Sequence, residues 1–165
     1  MEQIDIDSTD IKLLDALQSD ASLSNQALAA LAHVSPPTCL RRVKRLRDAG
    51  LIERQVALLS PDKLASITGH GLTTIVEITL DQQGDEHLSA FEQRVTKNAA
   101  VQQCYRTSPG PDFVLIVRVA DMPAYLALSQ QLFTSDANVR NVKAFFSIKR
   151  VKFEPKIGLN VPLAQ

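Results

Sequence analysis

Five positively charged side chains crowd seven consecutive positions of the chain. They are Arg41, Arg42, Lys44, Arg45 and Arg47. No acidic residue lies between them, so they repel one another instead of forming ion pairs along a helix. Arginine binds guanine through two parallel hydrogen bonds in the major groove of DNA, and cations of either kind bind phosphate. The cluster therefore favours a DNA-binding helix over a solvated charged helix.

The apolar residues around this cluster indicate which side of the helix is buried. Leu40, Val43 and Leu46 recur every three positions, with Cys39 beside them. This spacing predicts a buried stripe along one side of an amphipathic helix. The charges then lie on the remaining surface.

The polar side chains divide between two predicted roles. With about 100° between successive residues, Thr38, Arg41 and Arg45 lie opposite the stripe and are predicted to contact base edges. Arg42 and Lys44 lie on its flanks and are predicted to bind phosphates. The predicted DNA contacts, including the capping serine and one downstream cation, are Ser35, Thr38, Arg41, Arg42, Lys44, Arg45 and Arg54.

Predicted helix caps indicate that this helix is the second helix of a helix-turn-helix motif. Ser24 is predicted to cap a short helix at residues 25–32, because serine accepts a hydrogen bond from an otherwise unpaired backbone N–H. Ser35 is predicted to cap the basic helix, which begins at Pro36, where a missing N–H costs nothing.

Two further elements complete the predicted DNA-binding domain. A helix at residues 8–18, capped by Asp7, precedes the helix-turn-helix. Residues 51–52 and 56–59 predict two short strands of a wing, with Arg54 between them. A contact from Arg54 to the DNA backbone and an exposed loop arginine without a DNA role both stay open.

The composition of the chain argues against DNA binding by bulk charge and against a membrane protein. The chain has 165 residues, with 18 basic and 18 acidic side chains and a formal net charge of zero. Bulk charge therefore cannot drive DNA binding, which must come from a local patch. No apolar run is long enough for a membrane span, and the acidic N-terminus is unlike a signal peptide. We expect a cytoplasmic protein without a membrane partner.

The residues that could perform catalysis or bind a metal are dispersed. Cys39 and Cys104 lack the spacing of a zinc site or a disulfide framework. His33, His70 and His87 fall in a turn, a connector and the start of a helix, without a suitably spaced acid or nucleophile. We predict no catalytic residue, no metal site and no cofactor.

The second half of the chain predicts an α+β domain. The spacing of its apolar residues predicts elements in the order strand, helix, strand, strand, helix, strand. This order is typical of a ferredoxin-like βαββαβ fold, in which both helices lie on one face of an antiparallel sheet. The other face is predicted to carry Ile75, Phe145 and Val151. These side chains are too apolar for a face left in water, which predicts self-association through the sheets.

The predicted elements and boundaries can be stated by residue number. The predicted strands lie at residues 73–80, 101–107, 113–119 and 139–153, and the predicted helices lie at 86–97 and after Asp121. The predicted domains are a winged helix-turn-helix at 1–60, a linker at 61–71 and the ferredoxin-like domain at 72–165.

The chain resembles the Lrp/AsnC family of transcription regulators over nearly its whole length. The resemblance rests on the segment SPPTCLRRVKRLRDAGLI and on the opening D-x-x-D-x-x-[IL]-L, here Asp7, Asp10, Leu13 and Leu14. It implies a DNA-binding domain followed by a RAM-type sensor domain. It also implies that dimers bind double-stranded DNA at palindromic promoter sites, assemble into tetramers or octamers, and respond to an amino acid bound between dimers.

The resemblance also points to an effector site in the hairpin Ser-Pro-Gly-Pro-Asp. The family's hairpin usually has the pattern Gly-x-x-Asp-[Tyr/Phe], whereas here Pro109 takes the glycine position. The implied effector-binding residues are Thr107, Ser108, Gly110 and Asp112. An ordinary hairpin loop remains an alternative, as do a siroheme decarboxylase-like enzyme and an architectural DNA-binding protein without an effector.

Overall fold

The computed structural model describes residues 5–159 and divides the chain into two compact units. Among the described residues, the head contains 5–58 together with 152–159, and the sheet domain is Leu59–Val151. The sequence predicts instead a second domain that continues from residue 72 to the end. The difference arises because the C-terminal segment contacts the first helix of the head. Those contacts join residues far apart in the sequence, so local sequence patterns cannot predict them.

Within the described residues, the head is built from helices α1 (Ser8–Ser19), α2 (Asn25–Ala32) and α3 (Pro36–Asp48). The predicted serine caps are confirmed. Oγ of Ser24 accepts a hydrogen bond from the N–H of Ala27, and Oγ of Ser35 accepts one from the N–H of Thr38. Between the two helices, His33 takes a left-handed conformation with φ of 56°, which turns the chain at the end of α2.

The core of the head lies between the three helices and includes the fully buried Leu13 of α1. On α3 the buried side chains are Cys39, Val43 and Leu46, whereas Leu40 is 63% exposed. The prediction that Leu40 belongs to the buried stripe is therefore wrong. Steps of four and three keep the buried residues within about 60° of one another, whereas a stripe that started at Leu40 would spread over about 120°.

The segment that follows α3 also differs from the prediction. Residues 51–60 form neither strand of the predicted wing. An alternating segment needs a neighbouring strand, and the described part of the head provides none for it. The apolar side chains left largely exposed are Val56, Leu58 and Leu59. Part of the predicted linker is helical, because α4 (Pro61–Thr68) begins at a proline and is capped by Ser60.

The sheet domain has the predicted βαββαβ order. Its elements are β1 (Leu72–Leu80), α5 (Asp85–Val95), β2 (Val101–Arg106), β3 (Phe113–Val119), α6 (Met122–Ser129) with a π-helical extension (Gln130–Thr134), and β4 (Val139–Phe146). The strands are arranged in the order β2-β3-β1-β4, and neighbours are antiparallel. The predicted α+β architecture is confirmed.

Strand β4 ends at Phe146, although the sequence alternates to residue 153. Its partner β1 begins directly after Gly71, where φ of 65° changes the direction of the chain. The final hydrogen bond therefore runs from the N–H of Ser147 to the carbonyl of Thr73, at 2.9 Å. An alternating pattern marks the potential to form a strand, but the length of the partner decides where pairing stops.

Helices α5 and α6 cover one face of the sheet. Phe91 of α5 stacks on Phe113 of β3, with ring centroids 4.7 Å apart, and both side chains are buried. The opposite face carries Ile75 and Phe145, which are paired across β1 and β4 and are 39% and 52% exposed. One sheet face is thus a closed core, and the other exposes apolar side chains beside the paired Glu77 and Lys143.

Candidate functional site

The outward surface of α3 follows from its buried residues. Because Cys39, Val43 and Leu46 face the core, a rotation of about 100° per residue directs Arg41 and Lys44 away from it. Both side chains are exposed. We call the exposed surface around Arg41 and Lys44 the outward face of α3. It presents two cations in a form that can enter a DNA groove.

Two other arginines of α3 are engaged inside the head. Asp10 of α1 is fully buried, and its two carboxylate oxygens accept hydrogen bonds from Arg42, at 2.9 Å, and from Arg45. Arg42 also donates to the carboxylate of Asp7 at 2.8 Å, and Arg45 donates to the backbone carbonyl of Asp5 at 3.2 Å. These contacts join α1 to α3.

This arrangement changes the roles expected for Arg42 and Arg45. The sequence predicts that Arg45 contacts bases and that Arg42 binds phosphate, whereas the structure places both guanidinium groups against the Asp10 carboxylate. The physical reason is that a buried carboxylate is stable only when it is paired with charged hydrogen-bond donors. DNA contact by either arginine stays a prediction, and both have a structural role in the head.

Asp7 and Asp10 also cap the start of α1. The carboxylate of Asp7 accepts hydrogen bonds from the N–H groups of Thr9 and Asp10, and the carboxylate of Asp10 accepts one from the N–H of Asp7. The hydrogen bond from the Asp10 backbone, together with the Arg42 guanidinium, lowers the pKa of Asp7. Hydrogen bonds to Asp10 and Asp7 in turn raise the pKa of Arg42.

Sequence reasoning missed the role of Asp10, although a signal was present. Asp10 lies three positions before the apolar Leu13, so the two side chains share one side of a helix, and a core position for Leu13 brings Asp10 close to the core. Such a residue calls for a basic partner elsewhere in the domain.

The remaining predicted DNA contacts lie in the first turn of α3 and in the segment after the helix. The hydroxyl oxygens of Ser35 and Thr38 are 2.9 Å apart, so both belong to the capped first turn. Arg47, which the sequence does not assign to a DNA contact, donates to the side chain of Gln55 at 3.3 Å. Arg54 is exposed in the irregular segment after α3, not between strands of a wing.

The predicted effector residues lie on the hairpin between β2 and β3. The N–H of Thr107 donates to the carbonyl of Asp112 at 3.0 Å, which closes the hairpin. The carboxylate of Asp112 accepts a hydrogen bond from the N–H of Leu80 at 2.7 Å, so this side chain ties the hairpin to the end of β1. Ser108 and Gly110 are exposed at the tip. Asp112 therefore has a structural contact that the sequence did not predict.

The histidines and cysteines lie on separate elements. His33 follows α2, His70 precedes β1 and His87 lies in α5. Burial raises the pKa of the Cys39 and Cys104 thiols, which keeps them neutral. Among residues 5–159 no three histidine, cysteine or acidic side chains are grouped as metal ligands would be, and no helix is long and apolar enough to cross a membrane.

Comparison with known families matches both units of the chain. Residues 6–47 match the AsnC-type helix-turn-helix domain, and residues 73–157 match the Lrp/AsnC ligand binding domain. The first match covers α1 to α3 up to Arg47. The second covers the sheet domain from Thr73 of β1 onward and extends to Ile157 in the C-terminal segment of the head.

Known proteins and structures resemble the chain over nearly its whole length. It is 34% identical over 154 residues to the DNA-binding transcriptional activator DecR of Escherichia coli, covering 93% of this chain and 99% of that protein. It is 33% identical to the leucine-responsive regulatory protein of the same species, covering 90% and 88%. A transcriptional regulator from Neisseria meningitidis, solved as a complex with L-Met, superposes with a TM-score of 0.81 at 30% identity, covering 94% and 98%.

Proposed function

Because the chain belongs to the Lrp/AsnC family of helix-turn-helix transcription regulators, we propose that α3 enters the major groove of double-stranded DNA with its outward face. The observation that carries this proposal is the exposure of Arg41 and Lys44 opposite the core of the head. We assign Arg41 to base edges and Lys44 to phosphate. The exposed Leu40, beside them, offers an apolar contact for a thymine methyl group.

Selection of duplexes from a random-sequence library by the purified protein tests this function. A sequence-specific regulator enriches one motif, and a symmetric dimer enriches a motif with two related halves. An architectural DNA-binding protein would bind without enriching any motif, and that outcome would contradict the proposal. A cytoplasmic regulator is the setting that we infer, since the DNA must be accessible to it.

We infer that the second copy required for two half-sites binds through the open sheet face. Ile75 and Phe145 lie side by side on this face, and Ile116 and Tyr105 share it on β3 and β2. A second copy of the same face offers apolar side chains over an area of matching size, which favours a two-fold dimer. Assembly of such dimers into tetramers or octamers belongs to the same proposal. A monomeric mass by light scattering in solution would contradict it.

An amino acid is the effector class that we propose for the sheet domain. The support is the match to the family's ligand binding domain and the similar structure from Neisseria meningitidis that contains L-Met. Within the hairpin, Ser108 and Gly110 lie at the exposed tip, whereas Asp112 is bonded to β1 and Thr107 closes the hairpin. We therefore assign contact with the effector to Ser108 and to the backbone around Gly110, and a supporting role to the other two.

Thermal unfolding against each of the twenty amino acids tests the effector proposal. A ligand at about 100 times its dissociation constant stabilises the folded state by about 2.7 kcal/mol. For a chain of this length that corresponds to a rise in melting temperature of roughly 5 to 10 °C. Ser108→Ala should reduce the rise without changing the melting temperature of the unliganded protein. If none of the amino acids changes the melting temperature, the effector proposal is wrong while the DNA-binding proposal stands.

The enzyme alternative has less support than the regulator. The similar proteins are named as transcription regulators. His33, His70 and His87 lie on separate elements. The carboxylate 3.5 Å from Nε2 of His87 belongs to the neighbouring, largely exposed Glu86, so the described residues offer no enclosed pair of groups for proton transfer. We infer that the protein is not a siroheme decarboxylase, and an absorption shift on mixing with siroheme would contradict this inference.

A further inference from the structure

The C-terminal segment of the chain lies against the last turns of α1 within the head. The side-chain amide of Gln18 donates to the carbonyl of Ile157 at 2.8 Å, and the N–H of Ile157 donates to the amide oxygen of Gln18 at 3.0 Å. A side chain that pairs with one backbone position in both directions imitates a neighbouring β-strand. This reciprocal pair fixes the position of the segment on α1.

Lys156 makes a second, charged contact beside the first. Its ammonium nitrogen lies 2.9 Å from the carboxylate of Asp15 and donates to the hydroxyl of Ser19 at 2.8 Å. Helix α1 has no basic residue in its own last turn, where the unpaired carbonyl groups favour a cation. Lys156 therefore supplies from the far end of the chain the charge that α1 lacks. The hydrogen bond from Lys156 also lowers the pKa of Asp15, which favours the ionised carboxylate.

These contacts attach the head to the rest of the chain at two points. The chain passes into the sheet domain after Leu58, and it returns to the head at Lys152 after β4 has ended at Phe146. The first connection is an exposed irregular segment at residues 53–60. Eight extended residues span up to about 26 Å. Successive base pairs are about 3.4 Å apart, so this connection alone would let a head reach half-sites displaced by several base pairs.

We propose that Gln18, Asp15 and Lys156 form a latch that sets which half-site spacings the protein accepts. The inference rests on the proposed function, in which two heads of a dimer bind two half-sites of one DNA molecule. A head held at two points has less freedom, so its effective concentration at a displaced half-site falls steeply. A head held only by residues 53–60 tolerates displacement. The latch thus determines specificity through geometry and not through base contacts.

A charge-reversal pair provides the test. Lys156→Glu places a second carboxylate beside Asp15 and opens the latch, whereas Asp15→Lys combined with Lys156→Glu restores an ion pair of opposite polarity. Affinity is measured by fluorescence anisotropy for duplexes in which the selected half-sites are moved together or apart by about one to three base pairs. We expect the wild type to lose about tenfold or more on displaced sites, Lys156→Glu to lose about threefold or less, and the double variant to behave as the wild type.

Backbone hydrogen exchange provides an independent readout of the latch itself. The N–H of Ile157 should be protected in the wild type and in the double variant, and should exchange rapidly in Lys156→Glu. Rapid exchange in the wild type would overturn the proposal. So would identical spacing profiles for the wild type and Lys156→Glu, while strong binding at the preferred spacing would leave the proposed function intact. If the wild type bound no specific sequence at all, the proposed function would fail and the inference with it.

Discussion

Arg41→Ala should weaken binding to a specific DNA site by about 1 to 3 kcal/mol and should relax the sequence preference at one position of each half-site. Arg41 is exposed on the outward face of α3, and the described structure gives its guanidinium no role in the core of the head. Its replacement should therefore leave the melting temperature unchanged. Titration of the selected site and of single-base variants by fluorescence anisotropy measures both effects.

Lys44→Ala separates base contact from phosphate contact. Because a phosphate contact carries no sequence information, this variant should weaken all DNA alike and should reduce the slope of log affinity against log salt by about one. Arg140→Ala, which removes an exposed arginine of β4, serves as the control and should change neither quantity. If Arg41→Ala retained full affinity and full discrimination, the assignment of Arg41 to base edges would be wrong.

Asp10→Ala should destabilise the head by about 3 kcal/mol. The substitution leaves Arg42 and Arg45 without the carboxylate that joins them to α1, and it removes one partner of the cap at Asp7. Removing one member of a buried ion pair costs about 3 to 5 kcal/mol, and the lower end applies because the two arginine side chains remain 25% and 44% exposed. Urea denaturation followed by circular dichroism measures the change.

Two further variants serve as comparisons for Asp10→Ala. Asp10→Asn keeps a hydrogen-bond acceptor but loses the charge, so it should lie between the wild type and Asp10→Ala. Asp48→Ala removes an exposed carboxylate from the same head and should change stability by no more than about 0.5 kcal/mol. Equal stability of Asp10→Ala and the wild type would show that the ion pairs do not hold α3 on α1. Arg45→Ala should also lower stability, and this would separate it from Arg41→Ala.

Features that depend on neighbouring residues could be predicted from the sequence. The caps at Ser24, Ser35 and Asp121 each involve a backbone N–H three residues ahead, so the determinants lie within a few positions. The alternation in β1 and β3 needed no knowledge of the partner strand, because both faces of the central strands are defined by their own side chains. The order of the elements then determined the βαββαβ fold.

Features that depend on distant partners could not be predicted in the same way. Strand β4 stops at Phe146 because β1 starts at Leu72, and residues 51–60 form no wing because no partner strand lies beside them in the described head. Asp10 lies 32 residues from Arg42, and Gln18 lies 139 residues from Ile157. In each case, the sequence shows one member of a pair without showing which residue completes it.

The candidate site shows the same division. Helical periodicity alone predicts that Arg41 lies opposite the core and that Lys44 lies on a flank of the helix, and the structure leaves both side chains exposed. The same periodicity places Arg45 outside the core, but it cannot show that a buried carboxylate of another helix draws the guanidinium back. A helical projection gives the direction in which a side chain leaves the helix axis. It does not give the position of the charged group at the end of a long, flexible side chain, which depends on the partner that the group binds.

The complete burial of Cys39 gives the head an internal reporter. This thiol lies on α3, the helix that we propose enters the DNA groove. Burial raises its pKa, so in the folded head the thiol is inaccessible and the reactive thiolate is disfavoured. An alkylating reagent consequently modifies Cys39 at a rate governed by local opening of the head. Cys104 is only half-buried in β2, so its labelling provides a comparison rate from the sheet domain and does not require that unit to open.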